Sequence, residues 1–157
     1  MDAIELSFMV SCEPAHAFDV WTRRIGLWWP SSHSVSEDPE LTVTIEPRVG
    51  GRIFERTTDG AEHDWGEVIA WEPPTRLVYR WHLRQDRADA TEVEIAFGSA
   101  PEGAEVRISH RGWDRLGAKG PDLQQRNRQG WAGMLPHYQR ACGTGLTEGN
   151  ETVTVGT

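Results

Sequence analysis

Basic residues are in deficit in this chain: 16 Lys and Arg stand against 24 Asp and Glu, for a formal net charge of -8 over 157 residues. That balance opposes binding to nucleic acid or to an anionic membrane surface, because the dominant electrostatic contribution would be repulsive. No apolar run approaches the roughly 20 residues needed to span a bilayer. Met1-Asp2-Ala3 leads straight into a strand pattern with no basic leader segment or cleavage site, so the expectation is a cytoplasmic protein. Cysteine is scarce. Cys12 and Cys142 lie far apart and form no CxxC, which fits reduced thiols rather than a disulfide framework. None of His16, His33, His63, His82, His110 and His137 stands at HxxxH or HExxH spacing, so no metal site is expected. GxxxxGK[ST], a GxGxxG between strand and helix, and GxSxG are all missing, which argues against nucleotide binding in those modes and against one hydrolase class; no cofactor is implied.

What the chain does have is tryptophan, eight in all. Each buries a large area, so this many in a chain of one-domain length implies either a bulky core or an aromatic-lined cavity. Ile4, Leu6, Phe8 and Val10 alternate with Glu5, Ser7 and Met9, the period of a half-buried strand. From Pro14 the period lengthens, and Ala17, Phe18 and Trp21 predict a short helix interrupted near Gly26. The segment from Leu27 to Ser34 carries Trp28 and Trp29 with Pro and Ser, and reads as a packed loop. Leu41, Val43 and Ile45 alternate next, with Arg52 to Thr58 as a hairpin partner.

Two further hairpins have a readable register. Around Pro73-Pro74, pairing Gly66 with Trp81, Val68 with Tyr79 and Ala70 with Leu77 sets small residues against large ones on one face. The other face then carries Trp65 opposite His82, Glu67 opposite Arg80 and Trp71 opposite Arg76. Around a Gly98 to Gly103 loop, Ile95 would meet Val106, Val93 would meet Ile108 and Thr91 would meet His110 on the apolar side, with Glu94 against Arg107 outside. Trp131, Met134, Leu135, Tyr138 and Cys142 fall on one helical stripe, with Pro121 and Asp122 as start signals. Gly130, Gly133 and Pro136 weaken that helix, by about 1 kcal/mol per Gly and about 3 kcal/mol for Pro, so packing must hold it. Residues 1–142 read as a single domain and 143–157 as a flexible tail.

Antiparallel strands with one apolar face need a cover, and the last helix is the only amphipathic element long enough. The fold class is therefore α+β, a curved antiparallel sheet of about six to seven strands wrapped around a long C-terminal helix. Specific segments also look familiar: Phe18 to Thr22 leading to Ile25-Gly26-Leu27-Trp28-Trp29-Pro30, Glu46 to Arg52, Trp65-Gly66-Glu67-Val68, Glu72 to Trp81, His110-Arg111-Gly112-Trp113, and Gly130-Trp131. Over roughly residues 3 to 142 the chain resembles the branch of the START-like (SRPBCC) superfamily named after activators of a heat-shock protein ATPase. The resemblance implies a helix-grip fold with a cavity between sheet and helix; members of the superfamily include lipid carriers, hormone receptors and polyketide cyclases. A link to the stress response is likewise only what the resemblance implies, since a fold does not fix a function.

Three functions compete. In the first, a small hydrophobic or aromatic molecule sits among Tyr79, Trp81, Ile95, Ile108, His110, Trp131, Leu135 and Tyr138, with Trp28 and Trp29 as a lid and Asp64 as a polar contact. In the second, the same cavity is catalytic, His110 acting as acid or base with Tyr79 or Asp64 as its helper. His110 also has a plain reading, a core histidine bonded to Thr91 or to a backbone carbonyl. In the third, exposed Trp65 and Trp71 anchor a protein partner such as a chaperone.

Overall fold

The computed structural model describes residues 1–144. Strand β1 (Ile4–Val10) buries Ile4, Phe8 and Val10 and exposes Glu5 and Ser7, as its alternation requires. Helix α1 (Pro14–Trp21) starts on a proline, whose missing N–H is one of the unsatisfied donors of a first turn, and buries Ala17, Phe18, Val20 and Trp21. The aromatic segment that follows is two short 3-10 turns, Ile25–Leu27 and Ser31–His33. Trp28 and Trp29 are both buried there. The Trp28 indole N–H donates to the Val20 carbonyl at 2.8 Å, and that of Trp29 donates to the His33 carbonyl at 2.8 Å.

The remaining strands are β2 (Thr42–Ile45), β3 (Arg52–Arg56), β4 (Glu62–Glu72), β5 (Arg76–Trp81), β6 (Thr91–Ala100) and β7 (Gly103–Arg111). They form one curved, antiparallel, seven-stranded sheet in the order β1-β7-β6-β5-β4-β3-β2. A 3-10 segment, Trp113–Lys119, breaks at Gly117 (φ 58°), and α2 (Gly120–Thr144) then crosses the concave face. Pro121 and Asp122 occupy its first turn, and Pro136 lies inside it. Gly143 and Thr144 are still part of the helix; the rest of the segment read as a tail, 145–157, lies outside the described residues.

The hairpin registers differ from alternation in instructive ways. In β4/β5, Gly66 faces Trp81, Glu67 faces Arg80 and Val68 faces Tyr79, but a bulge at Ile69 then sets Ala70 against Val78 and Trp71 against Leu77. The pairs Ala70 with Leu77 and Trp71 with Arg76 are therefore not formed. A second bulge lies between β3 and β4, where Ile53 faces Gly66 and Phe54 faces Asp64, leaving Trp65 as the extra residue. A bulge re-aims its side chain. Trp65 is consequently fully buried rather than on the outer face, and Trp71 is half-buried with its ring 5.1 Å from that of Phe18. The β6/β7 register is displaced by two: Ile95 faces Ile108, Val93 faces His110 and Phe97 faces Val106. The strands run on to Ala100 and Gly103, so the turn is tighter than a six-residue loop. An even displacement leaves every side chain on its expected face.

Candidate functional site

The space between sheet and helix is occupied by a continuous aromatic cluster. Trp21 packs on Trp28 at 5.3 Å and on Tyr138 at 4.7 Å, Trp29 packs on Trp65 at 5.1 Å and on Trp81 at 5.7 Å, and Tyr79 lies 5.6 Å from Trp81. Edge-to-face and tilted contacts at these spacings suit the quadrupoles of the rings. Ile95 and Ile108 form the floor beneath and are fully buried. The centre of the cup is thus solid.

His110 lies within that solid part with no exposed surface. The Trp131 indole N–H donates to its Nδ1 at 3.1 Å, and its Nε2 lies 2.7 Å from Thr91 Oγ1. With Nδ1 accepting, the neutral ring must carry its proton on Nε2 and donate to Thr91, whose hydroxyl is 3.3 Å from the Trp81 carbonyl. Burial pushes the His110 pKa down to about 3. Both nitrogens are engaged and the ring is neutral, an arrangement that ties helix to sheet and leaves no lone pair for acid or base chemistry.

One end of the cup is open. Between the turn at His33, the end of β5 and α2 lies a cleft of about 60 Å³ whose walls are Trp29, Trp81, Trp131, Leu83 and Met134. Asn127 and His33 supply its polar edge, and Gly130 supplies bare helix backbone, with nothing within 4 Å of where a Cβ would stand. His33 Nδ1 is 3.2 Å from Ser32 Oγ. Its pKa is lowered, first by burial and then by the neighbouring cations Arg84 and His137, against an opposing contribution from the Gly130 carbonyl. Beneath the walls, the Trp21 indole N–H is buried beside the Tyr79 hydroxyl, and its ring lies 6.1 Å from that of Trp131.

The loop bearing this rim is fastened from outside. Arg84 donates to the Ser34 carbonyl at 2.7 Å and to the Ser32 carbonyl at 3.1 Å, and pairs with Glu37. Glu55 is fully buried and accepts from Val35 N–H at 2.7 Å, Ser36 N–H at 3.0 Å and the Trp65 indole at 2.8 Å. Burial alone would raise its pKa, but the hydrogen bonds from Ser36, Val35 and Trp65 together outweigh that and hold it below the ordinary value.

Of the residues singled out from sequence, Trp29, Trp81 and Trp131 line the opening together. Tyr79, Ile95, Ile108, His110 and Tyr138 lie in the packed interior, and Tyr138 donates its hydroxyl to the Ala17 carbonyl at 2.8 Å. Leu135 is half-buried against the core, and Trp28 lines a different groove. Asp64 is corrected: the β4 bulge turns it outward, where it pairs with Arg52 at 2.8 Å. Sequence reading missed Asn127 and Gly130, which helical spacing back from Trp131 and from Met134 could have found, and His33 and Leu83, which sit in irregular segments with no periodicity to expose them. Among the described residues no group of His, Cys, Asp and Glu could hold a metal ion, and no helix is long and apolar enough to cross a membrane.

A curved antiparallel sheet gripping a C-terminal helix, with an opening at one end of the grip, defines the START-like (SRPBCC) class. Residues 11–138 match the family described as Activator of Hsp90 ATPase homolog 1-like protein, and the chain belongs to that family. Among solved structures it is similar to CalC, a self-sacrificing resistance protein from Micromonospora echinospora, at 22% identity and a TM-score of 0.68, covering 94% of this chain and 97% of that one. An AHSA1-like protein from Aeromonas hydrophila matches at 22% identity and a TM-score of 0.60, covering 96% and 100%. At those identities the likeness shows the fold. The anthrahydroquino-γ-pyrone synthase Txn09 matches at 32% identity and a TM-score of 0.56, covering 78% of this chain and 84% of that one. No curated protein matches the sequence.

Proposed function

We propose that this protein binds a small, planar, hydrophobic or aromatic molecule at the opening between β5, the His33 turn and α2. The observation that carries the reading is the convergence of Trp29, Trp81 and Trp131 on a cleft that faces bare backbone at Gly130. The three indoles supply apolar burial and ring contacts, and Asn127 and His33 supply orientation. The cleft of about 60 Å³ is smaller than the roughly 300–1,000 Å³ of ligand sites, so binding requires the cleft to widen. A solved structure to which the chain is similar at 32% identity is named an anthrahydroquino-γ-pyrone synthase, which supports a fused-ring ligand.

The test is quenching of tryptophan fluorescence by a panel of neutral polycyclic quinones and hydroquinones. Saturable quenching by the native chain, lost in Gly130→Leu with no fall in melting temperature, is expected. Equal quenching in that variant, or no saturable quenching by any compound, defeats the reading.

The 32% identity with the synthase favours a second, catalytic reading of the same opening. His33, with Ser32 Oγ on its Nδ1, is then the acid or base, because His110 has no free nitrogen. It predicts product formation from a bound polyketide-type substrate that disappears in His33→Gln while quenching persists; turnover surviving that change rejects it. A chaperone contact through Trp65 and Trp71 has less support, since Trp65 is fully buried and Trp71 is half-buried.

A further inference from the structure

A second concavity, sharing no lining residue with the tryptophan cleft, lies on the outside of the helices between α1 with its following turn and the C-terminal half of α2. Its volume is about 420 Å³, within the roughly 300–1,000 Å³ range of small-molecule sites. Val20, Leu27, Trp28 and Ala141 give it apolar walls; Arg24 and Arg140 give it a cationic edge, with His137 also lining it. The spacing explains the convergence: His137, Arg140 and Ala141 share one face of α2. Trp28 is a fixed wall because its indole N–H is held by the Val20 carbonyl at 2.8 Å.

Two features remain unexplained by the fold. Leu27 is 78% exposed, a large hydrophobe standing at the rim. Arg140 is exposed and makes no ion pair among the described residues, although the chain carries a formal charge of -8. Arg24 shares a single carboxylate, Asp19, with Arg23, at 2.9 and 3.7 Å respectively. An apolar trough ending in guanidinium groups matches one chemical class.

We propose that this groove binds an amphiphile with a single carboxylate headgroup, its alkyl or aryl body lying along Leu27, Val20 and Trp28 and its carboxylate received by Arg140 and Arg24. Guanidinium forks match carboxylates in geometry as well as charge. A polyanion is disfavoured by the acidic surface as a whole, whereas one headgroup feels chiefly the local field.

The probe is dodecanoate, titrated calorimetrically below its micellisation concentration into the full chain. One saturable site is expected, with acetate and dodecyltrimethylammonium giving no comparable heat. Arg140→Glu should weaken dodecanoate about tenfold or more. Its side chain is exposed and unpaired, so the variant should melt with the native protein. Gly130→Leu, which fills the tryptophan cleft, should bind dodecanoate normally, so failure of the groove and failure of the cleft are read separately. Absence of a saturable site, native affinity in Arg140→Glu, or loss in Gly130→Leu each overturns the proposal.

Discussion

The Trp131 indole donates to Nδ1 of His110 across 3.1 Å, joining the middle of the long helix to the last strand of the sheet inside the core. That bond gives the histidine a structural task and a pH dependence. Its pKa falls from 6.5 unfolded to about 3 folded because burial disfavours the charged ring. The unfolded chain therefore takes up the proton first. The contribution to stability is whole above pH 6.5 and is lost as pH falls toward about 3, at up to roughly 1.4 kcal/mol per pH unit. His33, also shifted downward, adds in the same direction. Glu55 and the other carboxylates with lowered pKa act only below about 4.5, so the interval from 6.5 to 4.5 belongs to the histidines. Urea midpoints across that interval should decline in the native chain and decline less in His110→Phe. An unchanged slope would show that folding leaves the titration of the ring as it is in the unfolded chain.

The same variant should be less stable at pH 7 by about 2–4 kcal/mol, because it leaves the Trp131 N–H and the Thr91 hydroxyl without their buried partner. A loss under about 1 kcal/mol in equilibrium unfolding would mean that the network does not tie helix to sheet.

Glu55 should behave as a clamp. Glu55→Gln keeps the shape but turns one acceptor into a donor facing Val35 N–H, Ser36 N–H or the Trp65 indole. A cost of about 1–3 kcal/mol is expected. Hydrogen exchange at Val35 and Ser36 should quicken more than exchange in β6 and β7, which have no bond to Glu55. Uniform quickening throughout would indicate global destabilisation without a local fastening.

Much of this architecture was readable from alternation. The strand face of every residue in β6 and β7 follows from period two, and the turn error moved pairs by two positions without moving a side chain across the sheet. The long helix was legible because Trp131, Met134, Tyr138 and Cys142 share a stripe, and all four are buried. The bulges were not legible. Nothing in the composition of His63-Asp64-Trp65-Gly66 marks Trp65 as an inserted residue, yet that one insertion exchanged the faces of Asp64 and Trp65. Gly66 was the available clue: a Cβ there would lie 2.0 Å from the Arg80 carbonyl oxygen, so the backbones approach too closely for any side chain. Alternation also places residues on a face without saying whether the face is hollow. Tyr79, Ile95, Ile108 and His110 do point under the helix, into packed interior, while the opening formed at the end of the sheet, where Trp29, His33 and Leu83 of irregular segments meet β5 and α2.

The two cysteines should be inert in the folded protein. Both are free and buried, and burial, followed by the adjacent Cys12 thiol, pushes the Cys142 thiol far above its ordinary pKa. Thiolate is the reactive form. Dithiobis(nitrobenzoate) should label neither sulfur at pH 8 in native buffer and both in denaturant; rapid native labelling would place the end of α2 away from β1.

Two glycines one turn apart on α2 offer the last test, since they differ in what a methyl group would meet. At Gly130 nothing lies within 4 Å, so Gly130→Ala should gain most of the helix-propensity difference, about 1 kcal/mol. At Gly133 the added carbon would stand 3.3 Å from His33 Nε2, and the ring is already restrained beside Ser32. Part or all of the gain should therefore be lost in Gly133→Ala as the imidazole is displaced. Urea midpoints should rank Gly130→Ala above Gly133→Ala, and adding His33→Ala should raise the second relative to its own parent. Equal gains in the two variants would mean that His33 is not held against the helix, and the polar edge assigned to the tryptophan cleft would have no fixed position from which to orient a ligand.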